Sequence, residues 1–437
     1  MKRRITALVA AVSVLALAVG VFGAAGCRPG EAKVIKIGVL GPMEFIQGRH
    51  HWFGATLAME EINAAGGVKV GDETYQIELV KVDTNELLSV DDAATACERA
   101  ITVDGAQFLV GAIRTEAALA MQEVAMDHKT IFLVCGASHT QLSDKVAEDY
   151  ERYKYWFRVT PINVNYLVKD SLILLNYVAG IVREELGIAK PRCAIVIEQA
   201  VAGDPLAQAA NAIIPTMGME VVGTWRPSTT ATDLTAELTA IRNSGAHIIY
   251  TYFSGPAGVP YARQWGELQI PAVSVGINVE AQAMGFIEAT DGFGDYECTL
   301  NTLAPGLEIT EKTVPFYDKF VDRFGEYPTY NAGTYDAVWI LKEAIERAGA
   351  IDSDSVVAEL EKTDYRGASG RIVFDECHDV TWGPGFVTAI GTQWQDGELR
   401  CVWPYEWQPV EGMDPITYPG TVRYQIPPWV LEQWGGE

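Results

Sequence analysis

Three loops concentrate the hydroxyl, guanidinium and carboxyl groups able to do chemistry, each directly after a short apolar run. Residues 107–113 read as a strand, and Arg114-Thr115-Glu116 opens the helix behind it. A hydroxyl at a helix start either caps the helix or meets an anion there, and Arg114 can add a charge-assisted bond to an anionic group. Gly136-Ala137-Ser138-His139 follows a second run, 130–135, and reads as either a plain turn or a binding loop. The loop 41–48 follows a third run, 35–40, and offers Glu44, Phe45 and Gln47. None of these groups forms a nucleophile and base pair. GxSxG, HExxH and paired Ser-Lys arrangements are absent from strand–turn–helix contexts, and GxGxxG is absent after the first strand, so dinucleotide binding is set aside. His50 and His51 are adjacent, point to different helix faces and do not suit a metal, and no CxxC occurs. No catalytic residue, metal or cofactor is expected.

The elements that hold these loops alternate. The strand 35–40 precedes a helix over 51–65, whose Trp52, Ala55, Met59 and Ile62 form one buried stripe while Glu60 and Glu61 face water. Gly66 and Gly67 stop it. The cycle repeats through strand 77–82, helix 90–101, strand 107–113, helix 116–128 and strand 130–135. A second series runs through strand 193–198, helix 206–217, strand 219–224, helix 233–243 and strands 246–253 and 272–276. Such alternation predicts parallel sheets covered on both faces, here as two α/β, doubly wound lobes. Helix 335–348 is amphipathic and closes at Gly349, and from Arg371 the chain turns to hairpin-like strands with a tight turn at Asp396-Gly397. Residues 404–437 are rich in proline and tryptophan and are expected to lie against the body through their aromatics.

The chain has 437 residues, and 33 Lys+Arg against 57 Asp+Glu give a formal charge of −24. That balance argues against nucleic acid, and the 49% hydrophobic share rules out general disorder. Lys2, Arg3 and Arg4, an apolar run to Phe22 and small residues before Cys27 are the layout of an export signal, with a single membrane anchor as the alternative. Ala24-Ala25-Gly26-Cys27 resembles a bacterial lipobox, with Ala24 where Leu is usual. Residues 1–26 would then be a lipoprotein signal peptide, Cys27 the lipidated N-terminus, and 27–33 a tether to the outside of the cell membrane. Cys135 and Cys193 read as core residues, while Cys377 and Cys401 flank a predicted hairpin and leave a disulfide open.

IKIGVLGPM, EEINAAGGV, YQIELVKVDT, VGAIRTEA, LVCGASHTQLS, HIIYTYFSG, FVDRFGEYPTYNAGTYDAVWILKEAIERAG and GRIVFD occur in that order over residues 34–403. Together they resemble the extracytoplasmic solute-binding proteins of ABC transporters, of the branched-chain amino acid type. The resemblance implies a type I periplasmic-binding-protein fold: two doubly wound parallel-sheet lobes, a three-strand hinge and a ligand clamped between. Lobe 1 would comprise 34–157 plus 302–366, lobe 2 158–298 plus 370–403, and 404–437 a C-terminal extension. The crossings would fall near 157–161, 298–301 and 365–370. It further implies that Thr115 holds a ligand carboxylate through its hydroxyl and N–H. Gly136 and Ala137 would add backbone groups, with Ser138 where a Thr hydroxyl usually contacts the ligand. In lobe 2 the matched places for ammonium and aromatic contacts carry Asn163, Ala202 and Asn278, with Ser254 near another aromatic position. That match implies a ligand without a free α-amino group, such as a carboxylic acid, an amide or a urea-like compound. The implied function is delivery of a small polar solute to the permease of an ABC importer, with ligand sensing for a signalling partner as the alternative and an exported hydrolase as a remote third.

Overall fold

A computed structural model describes residues 33–200, 203–409 and 412–435. The chain begins with β1 (Lys33–Gly41), α1 (Ile46–Ala64), β2 (Val68–Val70), β3 (Glu73–Asp83), α2 (Val90–Thr102), β4 (Phe108–Gly111), α3 (Thr115–Asp127), β5 (Ile131–Val134), α4 (Gln141–Glu148), α5 (Tyr150–Tyr153) and β6 (Trp156–Arg158). These strands form one sheet in the order β2-β3-β1-β4-β5-β6, parallel except for β2. Every residue of β4 and β5 is buried, as a strand covered on both faces requires.

The helix α6 (Val164–Leu186) then leads to β7 (Arg192–Ile197), α7 (Gly203–Ile213), β8 (Glu220–Trp225), α8 (Thr235–Ser244), β9 (Ile248–Phe253), α9 (Gly258–Glu267), β10 (Val273–Asn278), α10 (Phe286–Ala289) and β11 (Cys298–Asn301). The chain returns to the first lobe for α11 (Thr313–Phe324), α12 (Thr334–Ala348), α13 (Ser353–Leu360) and the hairpin β12 (Asp364–Gly367) and β13 (Gly370–Val373). It ends in the second lobe with β14 (Ile390–Gln395), β15 (Glu398–Trp403) and α14 (Pro428–Trp434). The second sheet runs β15-β14-β11-β10-β9-β7-β8, with β14 antiparallel to β11 and β15 antiparallel to β14. Both sheets therefore point the carboxyl ends of their central strands at one shared gap, where the loops between strand and helix collect.

Three segments join the lobes, and two lie away from the places expected. The stretch 159–163 links β6 to α6. β11 is itself a strand of the second sheet, so the second passage is the segment after Asn301. The hairpin β12/β13 pairs only with itself. Its turn is held by Asp336, which accepts the Ala368 N–H at 3.0 Å. The third passage is consequently 374–389, not 365–370. The six cysteines between 97 and 401 are all free, so the Cys377–Cys401 bridge does not form, and Cys401 is buried beneath the tail.

Helix α1 also begins earlier than its apolar stripe indicates. Phe45 stands at the N-cap, which places Gln47 in the first helical turn, not in a loop. Around residue 54 the absence of a side chain lets α1 approach the 3-10 turn Tyr330–Gly333 directly. A Cβ on Gly54 would lie 2.3 Å from the Ala332 carbonyl oxygen.

Candidate functional site

The gap between the lobes holds a cavity of about 700 Å³, partly open to solvent. From the first lobe come Gly136 and Ser138 after β5 and Tyr330 from its 3-10 turn; the second contributes Tyr252, Ser254 and Gln282. The end of β11 adds Asn301, and the connecting segments add Thr160, Thr302 and Thr388. Aliphatic groups fill the remaining wall, among them Ile162, Leu167, Ile277 and Leu300, and no Lys or Arg lines the cavity. This is the composition of a small-molecule site: mostly apolar, with a few placed polar groups.

On the first-lobe side the loop after β5 is rigidly held. Arg158 at the end of β6 donates to the carbonyls of Ala137 and His139, the latter at 2.9 Å, and is itself fully buried. His51 sits between the carbonyls of Leu40 and Cys135, at 3.0 and 3.2 Å, so α1 braces the tips of β1 and β5 together. Gly136 cannot carry a side chain, because a Cβ there would lie 2.3 Å from the Ala112 carbonyl. It is buried and forms part of the cavity wall.

The second-lobe side carries two carboxyl groups. Glu198 ends the run that starts in β7 and is fully buried; its carboxyl accepts from the Ser254 N–H at 2.7 Å and from the Ser254 hydroxyl. Burial pushes its pKa above the ordinary carboxyl value, against the pull of those bonds. Glu280, in the 3-10 turn Val279–Gln282 after β10, is raised by burial and by the nearby charge of Glu198. Tyr252 and Tyr330 approach from opposite lobes, and burial raises both phenols, Tyr330 to about 12, so they stay un-ionised. The charge of Glu198 adds to the rise at Tyr252 and that of Glu280 to the rise at Tyr330.

Of the residues singled out by sequence, the cavity wall contains Gly136, Ser138 and Ser254. Ala137 is directly behind it, buried, with its carbonyl spent on Arg158. Glu44 and Phe45 are exposed at the turn before α1, and Gln47 is buried with its Oε1 unpartnered, outside the wall. Thr115 is the first residue of α3 and Arg114 its N-cap. The guanidinium of Arg114 is turned onto the carbonyls of Glu86 and Leu87 at 3.4 and 3.3 Å and onto Glu116 at 3.3 Å. Glu86, buried and pushed up to about 7 by that burial, already takes the Ile113 and Arg114 N–H groups at 3.0 Å. Neither Thr115 nor Arg114 reaches the wall.

Asn163 and Asn278 are outside the cavity wall. Asn163 caps α6, its Oδ1 accepting from Asn165 and Tyr166 N–H groups at 3.1 and 3.3 Å. Asn278 is buried at the end of β10, donating to the Gly258 carbonyl at 3.1 Å and to Glu297 at 3.2 Å. Both asparagine side chains bond within the fold, Asn163 at a helix cap and Asn278 through its amide nitrogen. Two carboxyls of the second lobe, the buried Glu198 and the half-buried Glu280, stand outside the residues that line the cavity. Ala202 lies outside the described residues, as does Cys27. Sequence reading also missed Tyr252, Gln282, Thr302 and Tyr330. The usable signal was a place one to four residues past a strand end, which holds for Glu198, Glu280, Gln282 and Thr302 but not for Tyr330, brought in by a distant turn.

Among the described residues no group of three or more His, Cys, Asp or Glu gathers to hold a metal, and no helix is long and apolar enough to cross a membrane.

A family model described as periplasmic binding protein matches residues 34–397. Leu/Ile/Val-binding protein homolog 7 of Brucella abortus (strain 2308) is 23% identical over 398 residues, covering 87% of this chain and 94% of that one. Among solved structures, the branched-chain amino acid transporter substrate binding protein of Streptococcus pneumoniae in complex with isoleucine superposes with a TM-score of 0.70 at 21% identity, covering 89% of this chain and all of the other. A solute binding protein of an ABC transporter from Rhodopseudomonas palustris BisB5, in complex with 3,4-dihydroxy benzoic acid, gives 0.67 at 18% identity, over 84% and 95% of the two chains. With that model spanning most of the chain and the same fold in those structures, the chain belongs to the periplasmic binding protein family.

Proposed function

We propose that this protein captures a small solute bearing both a carboxylate and an ammonium, an amino acid or close analogue, and delivers it to the permease of an ABC importer. The observation that carries the reading is a cavity walled by Gly136 and Ser138 on one lobe and by Ser254 on the other, with the buried Glu198 carboxyl bonded to Ser254 behind that wall. Backbone N–H groups and a hydroxyl suit a carboxylate, and a buried ammonium requires an anion beside it. Tyr252 and Tyr330 can close over the ligand from either side as the lobes swing together. Relatives named for leucine, isoleucine and valine support the amino-acid class. The R. palustris protein, which holds an aromatic acid, makes a benzoate the natural competitor. The export-type N-terminus and Cys27 support a lipid-tethered protein outside the cytoplasm.

The test is a thermal-shift and calorimetric screen of amino acids, amides, ureas and aromatic carboxylates, paired with solution scattering. A ligand of the class raises the melting temperature by mass action and shrinks the radius of gyration. Hits confined to carboxylates that lack a nitrogen, or a molecule whose shape never responds to any ligand, would overturn the reading.

A further inference from the structure

Two buried polar atoms in the cleft wall have nothing to bind. Gln282 is 4% exposed, and its amide nitrogen donates to the Leu300 carbonyl at 2.9 Å. That bond fixes the orientation of the amide and leaves Oε1 without a partner. Thr302, 9% exposed, has its N–H bonded to Asn301 Oδ1 at 2.8 Å, while its hydroxyl oxygen is likewise unpartnered. Both residues line the cavity beside the aliphatic side chains of Ile277, Val279 and Leu300.

Resting on the amino-acid reading above, we propose that the solute is an α-amino acid whose side chain ends in a primary amide or ureido group, read by Gln282 and Thr302. The two sites are complementary to that group and to little else of its size. Gln282 Oε1 only accepts, so it requires an N–H; the Thr302 hydroxyl can donate, so it suits a carbonyl oxygen. Leu300, which holds the Gln282 amide, and Thr302 are two residues apart along one strand end, about 7 Å. A leucine or valine side chain would leave both atoms without a partner, whereas an amide would satisfy them, which favours the amide. Gln282 and Thr302 thereby act as specificity determinants, separate from the carboxyls that meet the ammonium.

The experiment is isothermal calorimetry of the full chain with L-glutamine, L-citrulline and L-leucine. Glutamine or citrulline is expected to bind at least about tenfold more tightly than leucine. Gln282→Leu combined with Thr302→Val should reverse the order, and Thr302→Ser should restore the preference lost in Thr302→Val. Unliganded melting curves identify any variant that fails to fold, and the wild-type ranking stands without it. Leucine binding more tightly than both amides, or a ranking unmoved in folded variants, overturns the specificity assignment and leaves the amino-acid reading intact. Failure of all three to bind, with an aromatic carboxylate binding instead, overturns both.

Discussion

Arg158 and Asp379 form an ion pair at 2.8 Å with their side chains 0% and 2% exposed, joining the end of β6 to the third segment between the lobes. The same guanidinium holds the carbonyls of Ala137 and His139, and Asp379 Oδ2 accepts from the Asn163 side chain at 3.2 Å. One buried pair thus fixes the Ser138 loop, the start of α6 and a hinge segment together. Removing one partner of such a pair strands the other charge, so Arg158→Met should destabilise by about 3–5 kcal/mol. Arg158→Lys should fold better but bind ligand at least about tenfold more weakly, because a point ammonium cannot reproduce the forked geometry. Urea unfolding followed by calorimetry separates the two effects, and equal affinity in a folded Arg158→Lys protein would remove this loop-positioning role.

The carboxyls of Glu198 and Glu280 are both raised by burial, which sets opposite pH trends for stability and for binding. A carboxyl whose folded pKa lies above its unfolded value contributes stability fully below the unfolded value, and that stability is lost as pH rises through the folded one. An ammonium ligand needs the ionised form, so affinity should rise over the same window. The binding constant for an amino acid is expected to increase as pH rises above the ordinary carboxyl range. The Glu280→Gln variant should bind weakly with a flatter profile. Calorimetry in buffers of different ionisation enthalpy should further register proton release on binding. Affinity independent of pH across this range would detach these acids from the ligand.

The alternation of apolar runs and amphipathic stretches made the strands legible because parallel sheets bury both faces, and β4 and β5 are wholly buried. The loops Gly136–Ser138 and Ser254 followed from that, since a strand end fixes where its loop emerges. Side-chain roles did not follow. Asn163 and Asn278 have the right type for a polar contact but are committed to a helix cap and to the Gly258 carbonyl, partners that only tertiary placement reveals. Tyr330 reaches the cleft because α1 can press against its turn, a relationship between residues far apart in sequence. The third hinge passage was misplaced because β12 and β13 carry the pattern of sheet strands yet find their partner in each other.

That close approach of α1 and the Tyr330 turn is itself open to test. Gly54 faces the Ala332 carbonyl, and a methyl group at 2.3 Å from that oxygen cannot be absorbed by a flexible side chain. Gly54→Ala should therefore cost about 1–3 kcal/mol of stability despite better helix propensity, and should weaken binding by displacing Tyr330. A control at Gly180, in α6 with open space around its Cβ position, should be neutral or stabilising as alanine. Matching urea midpoints for the two variants would contradict the packing account.

The segment after Trp403 lies beyond the span matched by the family and is fastened to the second lobe at several points. Trp429 donates to the Ile270 carbonyl at 2.9 Å and packs edge-on against Trp265 at 5.4 Å, while Trp434 donates to the Pro271 carbonyl at 2.5 Å. Gln425 exchanges two hydrogen bonds with the Gln393 side chain, at 2.8 and 2.9 Å. Before that, the Pro419 carbonyl accepts from the Glu308 N–H at 3.1 Å, just past the second passage between the lobes. Deleting residues 404–437 would expose Trp265, which is fully buried, and release the Glu308 segment. Trp429→Ala alone should cost about 2 kcal/mol, from the apolar area and the hydrogen bond it removes. The deletion should cost more and also change ligand affinity, since one of its contacts adjoins a hinge segment. Circular dichroism in urea and calorimetry of both proteins provide the comparison. A truncated chain that unfolds at the same urea concentration and binds equally well would show the tail to be an appendage, not a part of the second lobe.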